Sequence, residues 1–177
     1  MRHVALISTG GTIEKTYDEH TGRLENRVSI VHRMLARLRL EDIVINSVQL
    51  LSKDSNDLTD ADRRRIVDMT RIMLGDGDFD KDGDTDGVVI LHGTDTLHVT
   101  GELLLAEIPD PPAPIILTGA MRPFEMKSSD ALQNLTEAIF ATGALSPGVY
   151  AVAHGRALRF PGVVKDRTRG TFCMGAG

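Results

Sequence analysis

Two short motifs place a threonine hydroxyl beside glycine, directly after an apolar run of strand length. Residues 8–13 read Ser-Thr-Gly-Gly-Thr-Ile and follow the run at 4–7. Residues 92–96 read His-Gly-Thr-Asp-Thr and follow the run at 88–91. A parallel α/β sheet gathers the carboxyl ends of its strands at one edge, where such folds place their sites. Two Gly-Thr turns at that edge predict nucleophilic chemistry by threonine, and therefore an enzyme.

This chemistry needs groups that move a proton and stabilise charge. A threonine hydroxyl is a poor nucleophile until a neighbour takes or shares its proton. Gly11 and Gly93 let the backbone approach a substrate, and their N–H groups can face an oxyanion. Asp95 could hold a substrate ammonium group or orient a base, and a buried lysine could accept the proton. The residue types alone leave the choice of lysine open, and they favour a packed His92 over a catalytic one.

Other ligand classes lack their signatures. The chain has neither Gly-x-Gly-x-x-Gly nor Gly-Lys-Ser/Thr, so no nucleotide cofactor is expected. Residues 78–83 begin like a calcium loop, but the twelfth position is Val89, within a predicted strand. A solvated acidic loop is the favoured interpretation, and no metal is predicted. The cluster Arg63-Arg64-Arg65 is interpreted as a solvated helix face.

Bulk properties narrow the class of protein. The 177 residues predict one domain, 1–177, and a net charge of −5 argues against nucleic-acid or anionic-membrane partners. No run approaches the roughly 18 apolar residues of a membrane span. The single cysteine, Cys173, excludes an internal disulfide, and no signal peptide is visible, so we expect a cytoplasmic protein.

The predicted elements alternate between strands and helices. Strands are predicted at 3–9, 43–51, 87–91, 115–117 and 148–153. Helices are predicted at 28–39, from a Thr59 cap to Gly75, at 96–107, and from Ser128 or Ser129 to about 142. The alternation predicts an α/β fold, a mostly parallel sheet with helices on both faces, in a Rossmann-like or flavodoxin-like three-layer sandwich. Residues 10–27 are a candidate lid, and residues 156–172 a hairpin or irregular arm.

A third motif at residues 117–123, Leu-Thr-Gly-Ala-Met-Arg-Pro, completes a family resemblance. With the two threonine motifs, in this order and spacing, the chain resembles the bacterial-type L-asparaginase family from about residue 3 to 172. The resemblance implies hydrolysis of L-asparagine to L-aspartate and ammonia through a threonine acyl-enzyme, without a cofactor.

The resemblance also implies roles for particular residues. Thr12 would be the nucleophile, and Thr94, Asp95 and Lys165 would form a second catalytic cluster. Ser52 would bind the substrate α-carboxylate with backbone N–H groups, and Asp95 would bind the α-ammonium. The implied substrate-binding set is Gly11, Ser52, Lys53, Gly93, Thr94 and Asp95.

Three features depart from the family pattern. Lys53 stands where an uncharged polar residue is common; it either strengthens the hold on the carboxylate or points to solvent, and solvent is favoured. Tyr17 is the candidate lid tyrosine, only five residues after Thr12. The sequence ends twelve residues after Lys165, and in this respect the chain resembles the short, single-domain asparaginases. We therefore expect a homo-oligomer, a dimer or higher, whose partner subunit approaches the Thr12 site.

Alternatives remain open at this stage. The chain could be an amino-acid-binding module that does not catalyse, or an amidase acting on glutamine or D-asparagine. Cleavage before Thr12 or Thr94 would instead produce an amidohydrolase with an N-terminal threonine.

Overall fold

The computed structural model describes residues 1–75 and 85–175, so the calcium-like segment 78–83 lies outside the described residues. The strands are β1 (Arg2–Gly10), β2 (Thr16–Asp18), β3 (Arg23–Glu25), β4 (Ile43–Lys53), β5 (Gly87–Leu91), β6 (Pro114–Thr118), β7 (Gly148–Ala153), β8 (Arg156–Arg159), β9 (Val163–Asp166) and β10 (Thr171–Met174). The α-helices are α1 (Val31–Leu35), α2 (Asp60–Met73), α3 (Leu97–Glu107) and α4 (Ala131–Ala141).

A six-stranded sheet in the order β4-β1-β5-β6-β7-β8 forms the centre of the fold. Its first five strands are parallel, and only β8 is antiparallel. Among the parallel strands, the first along the chain lies between the second and the third, which is the flavodoxin-like order. From β1 the chain passes to β4 on one side of β1, and it then crosses to β5 on the other side. The switch point therefore lies between the carboxyl ends of β1 and β5.

The sheet has helices on both faces because its strand residues alternate between two cores. Ala5 and Ile7 of β1 pack with α2 and α3, whereas Val4 and Leu6 pack with α1 and α4. All of β5 and β6 is buried, as expected for strands covered on both sides. The predicted α/β fold, a mostly parallel sheet between two helical layers, is confirmed.

Helix α2 begins as its sequence predicts. The Thr59 side chain accepts a hydrogen bond from the backbone N–H of Asp62, and the Asp62 carboxylate accepts one from the backbone N–H of Thr59. This reciprocal capping box satisfies two backbone donors that the first helical turn leaves free. It also fixes the point at which α2 leaves the active-site edge of the sheet.

Helix α1 is shorter than the predicted 28–39. Ser29, before the helix, donates its backbone N–H to Gln49 of β4 and its hydroxyl to Glu14. After Leu35 the chain continues in tight turns rather than a regular helix. The apolar spacing therefore predicted the buried face correctly, but polar contacts to neighbouring segments determine where the helix begins.

Helix α4 begins at Ala131, after Asp130 rather than directly after the predicted cap at Ser128 or Ser129. Ser128 adopts a positive φ of 58°, and Ser129 accepts the backbone N–H of Ala131 with its hydroxyl. The Asp130 carboxylate instead accepts the backbone N–H groups of Met121 and Arg122. It thereby ties the start of α4 to the loop that follows β6.

The two irregular segments contain hairpins. Residues 10–27 form a 3-10 turn at Thr12–Glu14 and the antiparallel pair β2–β3. The second segment contains β8 and the antiparallel pair β9–β10, and this pair carries Lys165. In the described part of the chain, no helix has the length and apolar character needed to cross a membrane.

We predict that Gly101→Ala destabilises the protein by up to about 2 kcal/mol. In an exposed helix alanine gains about 1 kcal/mol over glycine, but here the added Cβ would overlap the ring of buried Phe160. Overpacking of this kind costs about 1–3 kcal/mol, so the steric term outweighs the helical gain. Urea unfolding measures the change. Val99→Ala, on an exposed face of the same helix, serves as the control, and equal stabilisation of both variants would contradict the prediction.

Candidate active site

The two threonine motifs meet at the switch point through their glycines. A Cβ on Gly11 would overlap the backbone of Gly93, so the two turns are in direct contact. Gly11 has a φ of 78°, which side chains rarely adopt, and its N–H donates to the carbonyl of Lys53 at 2.8 Å. Glycine is therefore required at position 11 for both space and conformation, and the contact brings Thr12 and Thr94 to the same edge.

Thr12 begins the 3-10 turn that follows β1, and its side chain is half-buried. Its hydroxyl makes no hydrogen bond to the residues that the structure describes. Two residues later, buried Glu14 accepts hydrogen bonds from the hydroxyls of Ser8 and Ser29, the latter at 2.5 Å. These contacts fix the turn on both sides and leave the Thr12 hydroxyl available for a substrate.

Thr94, Asp95 and Lys165 form a compact cluster after β5. The Lys165 Nζ donates to Thr94 Oγ1 at 2.7 Å and to Asp95 Oδ1 at 2.9 Å. Thr94 is buried, and only 14% of the Lys165 side chain is exposed. The hydrogen bond from Lys165 lowers the pKa of Asp95, which keeps its carboxylate ionised at neutral pH. The sequence identified these three residues, and β9 brings the lysine to the other two.

Asp95 has two further partners that the sequence analysis missed. Arg167 Nη1 lies 3.0 Å from Asp95 Oδ1, and the Asn56 amide donates to Asp95 Oδ2 at 3.2 Å. The Arg167 side chain is 72% exposed, so it can leave this contact at little cost. Arg167 lies just two residues after Lys165, and that spacing in the β9–β10 hairpin is the only signal that could have found it.

Backbone donors are also available near this cluster. The N–H groups of Thr94 and Asp95 make no hydrogen bond within the described residues, and they lie just before the N-terminus of α3. Unsatisfied N–H groups before a helix are suited to binding a carboxylate or a developing oxyanion. The arrangement therefore combines a hydroxyl, a lysine–carboxylate pair and anion-stabilising donors, the set that acyl transfer requires.

Ser52 and Lys53 lie at the carboxyl end of β4, on the rim of a cleft of about 430 Å³. The Ser52 hydroxyl donates to the carbonyl of Arg27. The Lys53 Nζ binds Asp62 at 2.8 Å and is the main reason that the pKa of Asp62 falls to about 2. The structure therefore places Ser52 beside the cleft, and it directs the Lys53 ammonium to the start of α2 rather than to Asp95.

Tyr17 lies on β2, and 56% of its surface is exposed. Its hairpin is joined to the site by other residues, because Lys15 binds Asp54 at 2.7 Å and the Asn26 amide donates to the carbonyl of Gly11 at 2.8 Å. The lysine is the main reason that the pKa of Asp54 is lowered. The structure thus places the hairpin over the Thr12 turn, with the Tyr17 side chain outside the cluster around Lys165.

The interpretation of Arg63-Arg64-Arg65 as a solvated face is wrong for its first member. Arg64 and Arg65 are exposed, but Arg63 is buried because it faces α3 and donates to Thr96 and Thr100. His92 is packed, as predicted. Burial lowers the pKa of His92 to about 4, so its imidazole is neutral at pH 7. Within 1–75 and 85–175, no three His, Cys, Asp or Glu residues are grouped to hold a metal ion.

Comparisons with known proteins identify the family of the chain. Residues 3–175 match the family model described as "Asparaginase, N-terminal". The chain is 32% identical over 145 residues to an L-asparaginase of Thermococcus kodakarensis, a match that covers 82% of this chain and 42% of that protein. It is 31% identical over 156 residues to a subunit of the glutamyl-tRNA(Gln) amidotransferase of Methanococcus maripaludis, covering 88% of this chain and 35% of the relative.

Solved structures show the same similarity. The thermostable L-asparaginase of Thermococcus kodakarensis superposes with a TM-score of 0.81 at 27% identity, covering 97% of this chain and 51% of that one. A probable cytoplasmic L-asparaginase from Campylobacter jejuni gives 0.80 at 28% identity, covering 98% and 52%. The chain thus spans about a third to a half of the length of these relatives. With the family model covering nearly all of it, the chain belongs to the asparaginase N-terminal domain family.

Proposed function

We propose that this chain carries the catalytic centre of an amidohydrolase that converts L-asparagine to L-aspartate and ammonia. The observation that carries the proposal is the Lys165 Nζ, which contacts Thr94 Oγ1 and Asp95 Oδ1 at hydrogen-bond distance. A lysine enclosed beside a hydroxyl and a carboxylate is a typical arrangement for proton transfer.

In the proposed reaction, Thr12 is the attacking residue. Its Oγ forms a bond to the amide carbon, its proton passes to the departing nitrogen, and the carbon–nitrogen bond breaks to release ammonia. Water then attacks the resulting ester and regenerates the Thr12 hydroxyl. The Thr94–Lys165 pair moves protons in these steps, since Thr94 is buried and its hydroxyl already contacts the lysine.

The proposed substrate contacts combine the cluster after β5 with the carboxyl end of β4. Asp95 binds the α-ammonium, and Ser52 with neighbouring backbone N–H groups binds the α-carboxylate. Gly11 and Gly93 allow the amide to approach Thr12. Glutamine is expected to react more slowly, because one extra methylene displaces its amide, and a ~1 Å misplacement can cost ~10²-fold in rate.

Two other functions remain as competitors. The similarity to a glutamyl-tRNA(Gln) amidotransferase component favours a role in supplying ammonia to such an enzyme, and an amino-acid-binding module would use the same contacts without turnover. Ammonia release from asparagine, glutamine, D-asparagine and aspartate, with and without glutamyl-tRNA(Gln), separates these possibilities. Release from free L-asparagine without tRNA supports the proposal. An intact mass during turnover excludes autoprocessing.

A cytoplasmic location and assembly into a homo-oligomer, most simply a dimer, belong to the same proposal. The side chain of Phe140, on α4, is 67% exposed beside an apolar groove that includes Ala144 and Ala157. An exposed apolar side chain beside an apolar groove favours association between copies of the chain. Phe140 lies on α4, however, and not at the Thr12 turn that the partner subunit is expected to approach.

We predict that Thr12→Ala abolishes turnover while the protein stays folded. Covalent catalysis should contribute more than the ~10²–10⁴-fold that is typical of one acid–base group, so kcat should fall by several powers of ten. An electrophilic asparagine analogue with a diazoketone should label Thr12 in the wild type, as located by peptide mass spectrometry. Labelling of Thr94, with turnover retained in Thr12→Ala, would reverse the two assignments.

Lys165→Met should lower kcat by about 10²–10⁴-fold and change KM much less, because it removes the group that exchanges protons with Thr94. Circular dichroism and thermal unfolding establish that the variant is folded. Lys127→Met is the matched control, since Lys127 is exposed and lies outside the site. Unchanged steady-state kinetics in Lys165→Met would assign this lysine a surface role only.

Arg167→Gln should lower KM for asparagine by about twofold to fivefold. The substrate ammonium must compete with Arg167 for Asp95, and an exposed ion pair is worth only about 0.2–1 kcal/mol. Succinamic acid, which lacks the α-amino group, should gain nothing from the substitution. Arg169→Gln, on the same exposed turn, is the control. Equal improvement for both compounds would show that Asp95 does not hold the ammonium.

A further inference from the structure

A chain of buried polar groups lies beneath the loop that carries Thr94. Arg63 Nη1 donates to Thr100 Oγ1 at 2.6 Å, and Thr100 Oγ1 lies 2.8 Å from His92 Nε2. The other ring nitrogen, Nδ1, lies 2.8 Å from the carbonyl oxygen of Gly93. His92 and Thr100 are 0% exposed and Arg63 is 7% exposed. These groups are sealed from solvent, and none of them is used in the proposed chemistry.

The donors and acceptors in this series of hydrogen bonds can be assigned in only one way. The Gly93 carbonyl can only accept, so Nδ1 of the neutral His92 carries the hydrogen and Nε2 is an acceptor. Thr100 therefore donates its O–H to Nε2, and its oxygen accepts from Arg63, which can only donate. The Gly93 carbonyl fixes the imidazole tautomer, and Arg63 fixes the orientation of the Thr100 hydroxyl that donates to Nε2.

A second branch leads from Arg63 to the same glycine. Arg63 Nη2 donates to Thr96 Oγ1 at 3.0 Å, and Thr96 Oγ1 donates to the carbonyl of Ser55 at 2.8 Å. Ser55 packs on Gly93 so tightly that a Cβ on Gly93 would lie 2.6 Å from the Ser55 Cβ. One branch thus ends on the carbonyl of Gly93 and the other on its Cα, directly before Thr94.

The charge of Arg63 is unusual for a group that serves stability alone. Among the described residues no carboxylate forms an ion pair with it, and the carboxylate of Asp62 binds Lys53 and Thr59 instead. The charges of Asp60 and Asp62 favour the cation without direct contact, and its direct partners among the described residues are the hydroxyl groups of Thr96 and Thr100. Arg63 therefore keeps part of its desolvation penalty, and an apolar side chain in place of a buried charge is often neutral or stabilising. A buried charge at this position therefore indicates a role in the site above it.

We propose that Arg63 is a positioning residue, which acts through Thr100, His92 and Thr96 to hold the Gly93–Thr94 peptide in register with Lys165. These contacts keep Thr94 Oγ1 at 2.7 Å from Lys165 Nζ. The inference rests on the proposed function for its kinetic readout only, because the backbone resonances of Gly93 and Thr94 and the stability of the protein can be measured without substrate.

The test compares Arg63→Met with Arg63→Lys, which keeps a donor. In Arg63→Met the Thr100 hydroxyl loses the donor that holds its orientation, so the backbone ¹⁵N–¹H resonances of Gly93 and Thr94 at pH 7 should shift or broaden. The His92 ring keeps its Nδ1–H tautomer, because the Gly93 carbonyl alone imposes it. The kcat should fall about 10-fold to 100-fold, as expected for a misplaced catalytic group, while urea unfolding shows unchanged or increased stability. Arg63→Lys should restore the Gly93 and Thr94 resonances and much of kcat.

A purely structural role gives the opposite pattern: stability falls in Arg63→Met, while the Gly93 and Thr94 resonances and kcat per folded molecule stay as in the wild type. That result would overturn the proposal. Arg64→Met, an exposed neighbour on the same helix, controls for the loss of a charge.

If Arg63→Met does not fold, Thr100→Val and Thr100→Ser test the same link. Valine removes the donor to His92 and should lower kcat, whereas serine keeps the hydroxyl and should not. Equal kcat values for valine and serine would contradict the proposal. An inactive wild type whose Gly93 and Thr94 resonances change as predicted in Arg63→Met would refute the amidohydrolase function but leave the positioning role of Arg63 intact.

Discussion

The contact between the Gly11 and Gly93 backbones is the constraint on which the site depends. Parallel pairing of β1 with β5 brings the two strands to the same edge in register, from Val4 opposite Gly87 to Ser8 opposite Leu91. The turns that follow can approach closely only because Gly11 has no Cβ to meet the backbone of Gly93. A methyl group on Gly11 would separate the turns, and with them the two threonines, whereas a methyl group on Gly93 would overlap Ser55. The geometry of the candidate site is therefore set by backbone packing before any side chain is placed.

The regular elements could be predicted from sequence because they depend on local signals. The predicted strand boundaries at 87–91 and 148–153 agree with β5 and β7, since short, wholly apolar runs between turns have few alternatives. The capping box of α2 is likewise predictable from Thr59 and Asp62, which lie three residues apart. The two threonine motifs were expected at one edge of the sheet, because alternation of strands with helices predicts parallel strands; only the strand order in the fold shows that this edge is at the switch point.

The sequence could not reveal contacts made by long polar side chains over large separations. Arg63 looked like part of a solvated cluster, and its burial depends on how closely α2 packs against α3, which no local pattern encodes. Lys53 was expected either to hold the substrate carboxylate or, as favoured, to point to solvent, but Asp62 lies near enough to bind its ammonium. Arg167 and Asn56 reach Asp95 from two different loops, so only the folded chain shows that they converge.

The side chains that position the site also couple it to pH. The folded state lowers the pKa of Asp95 and Asp62, so the stability they contribute is present at neutral pH and is lost as pH falls through their folded values. The stability that His92 contributes also falls with pH. Its pKa is lowered because burial disfavours the charged imidazole, whereas hydrogen bonds from lysines favour the charged forms of Asp95 and Asp62. The His92 pKa of about 4 lies below the roughly 6.5 of an exposed histidine, so the unfolded chain binds the extra proton between these values. Acidification therefore weakens the site in two places. Protonation of Asp95 removes its ion pair with Lys165, and a second proton on His92 would place a cation beside Arg63.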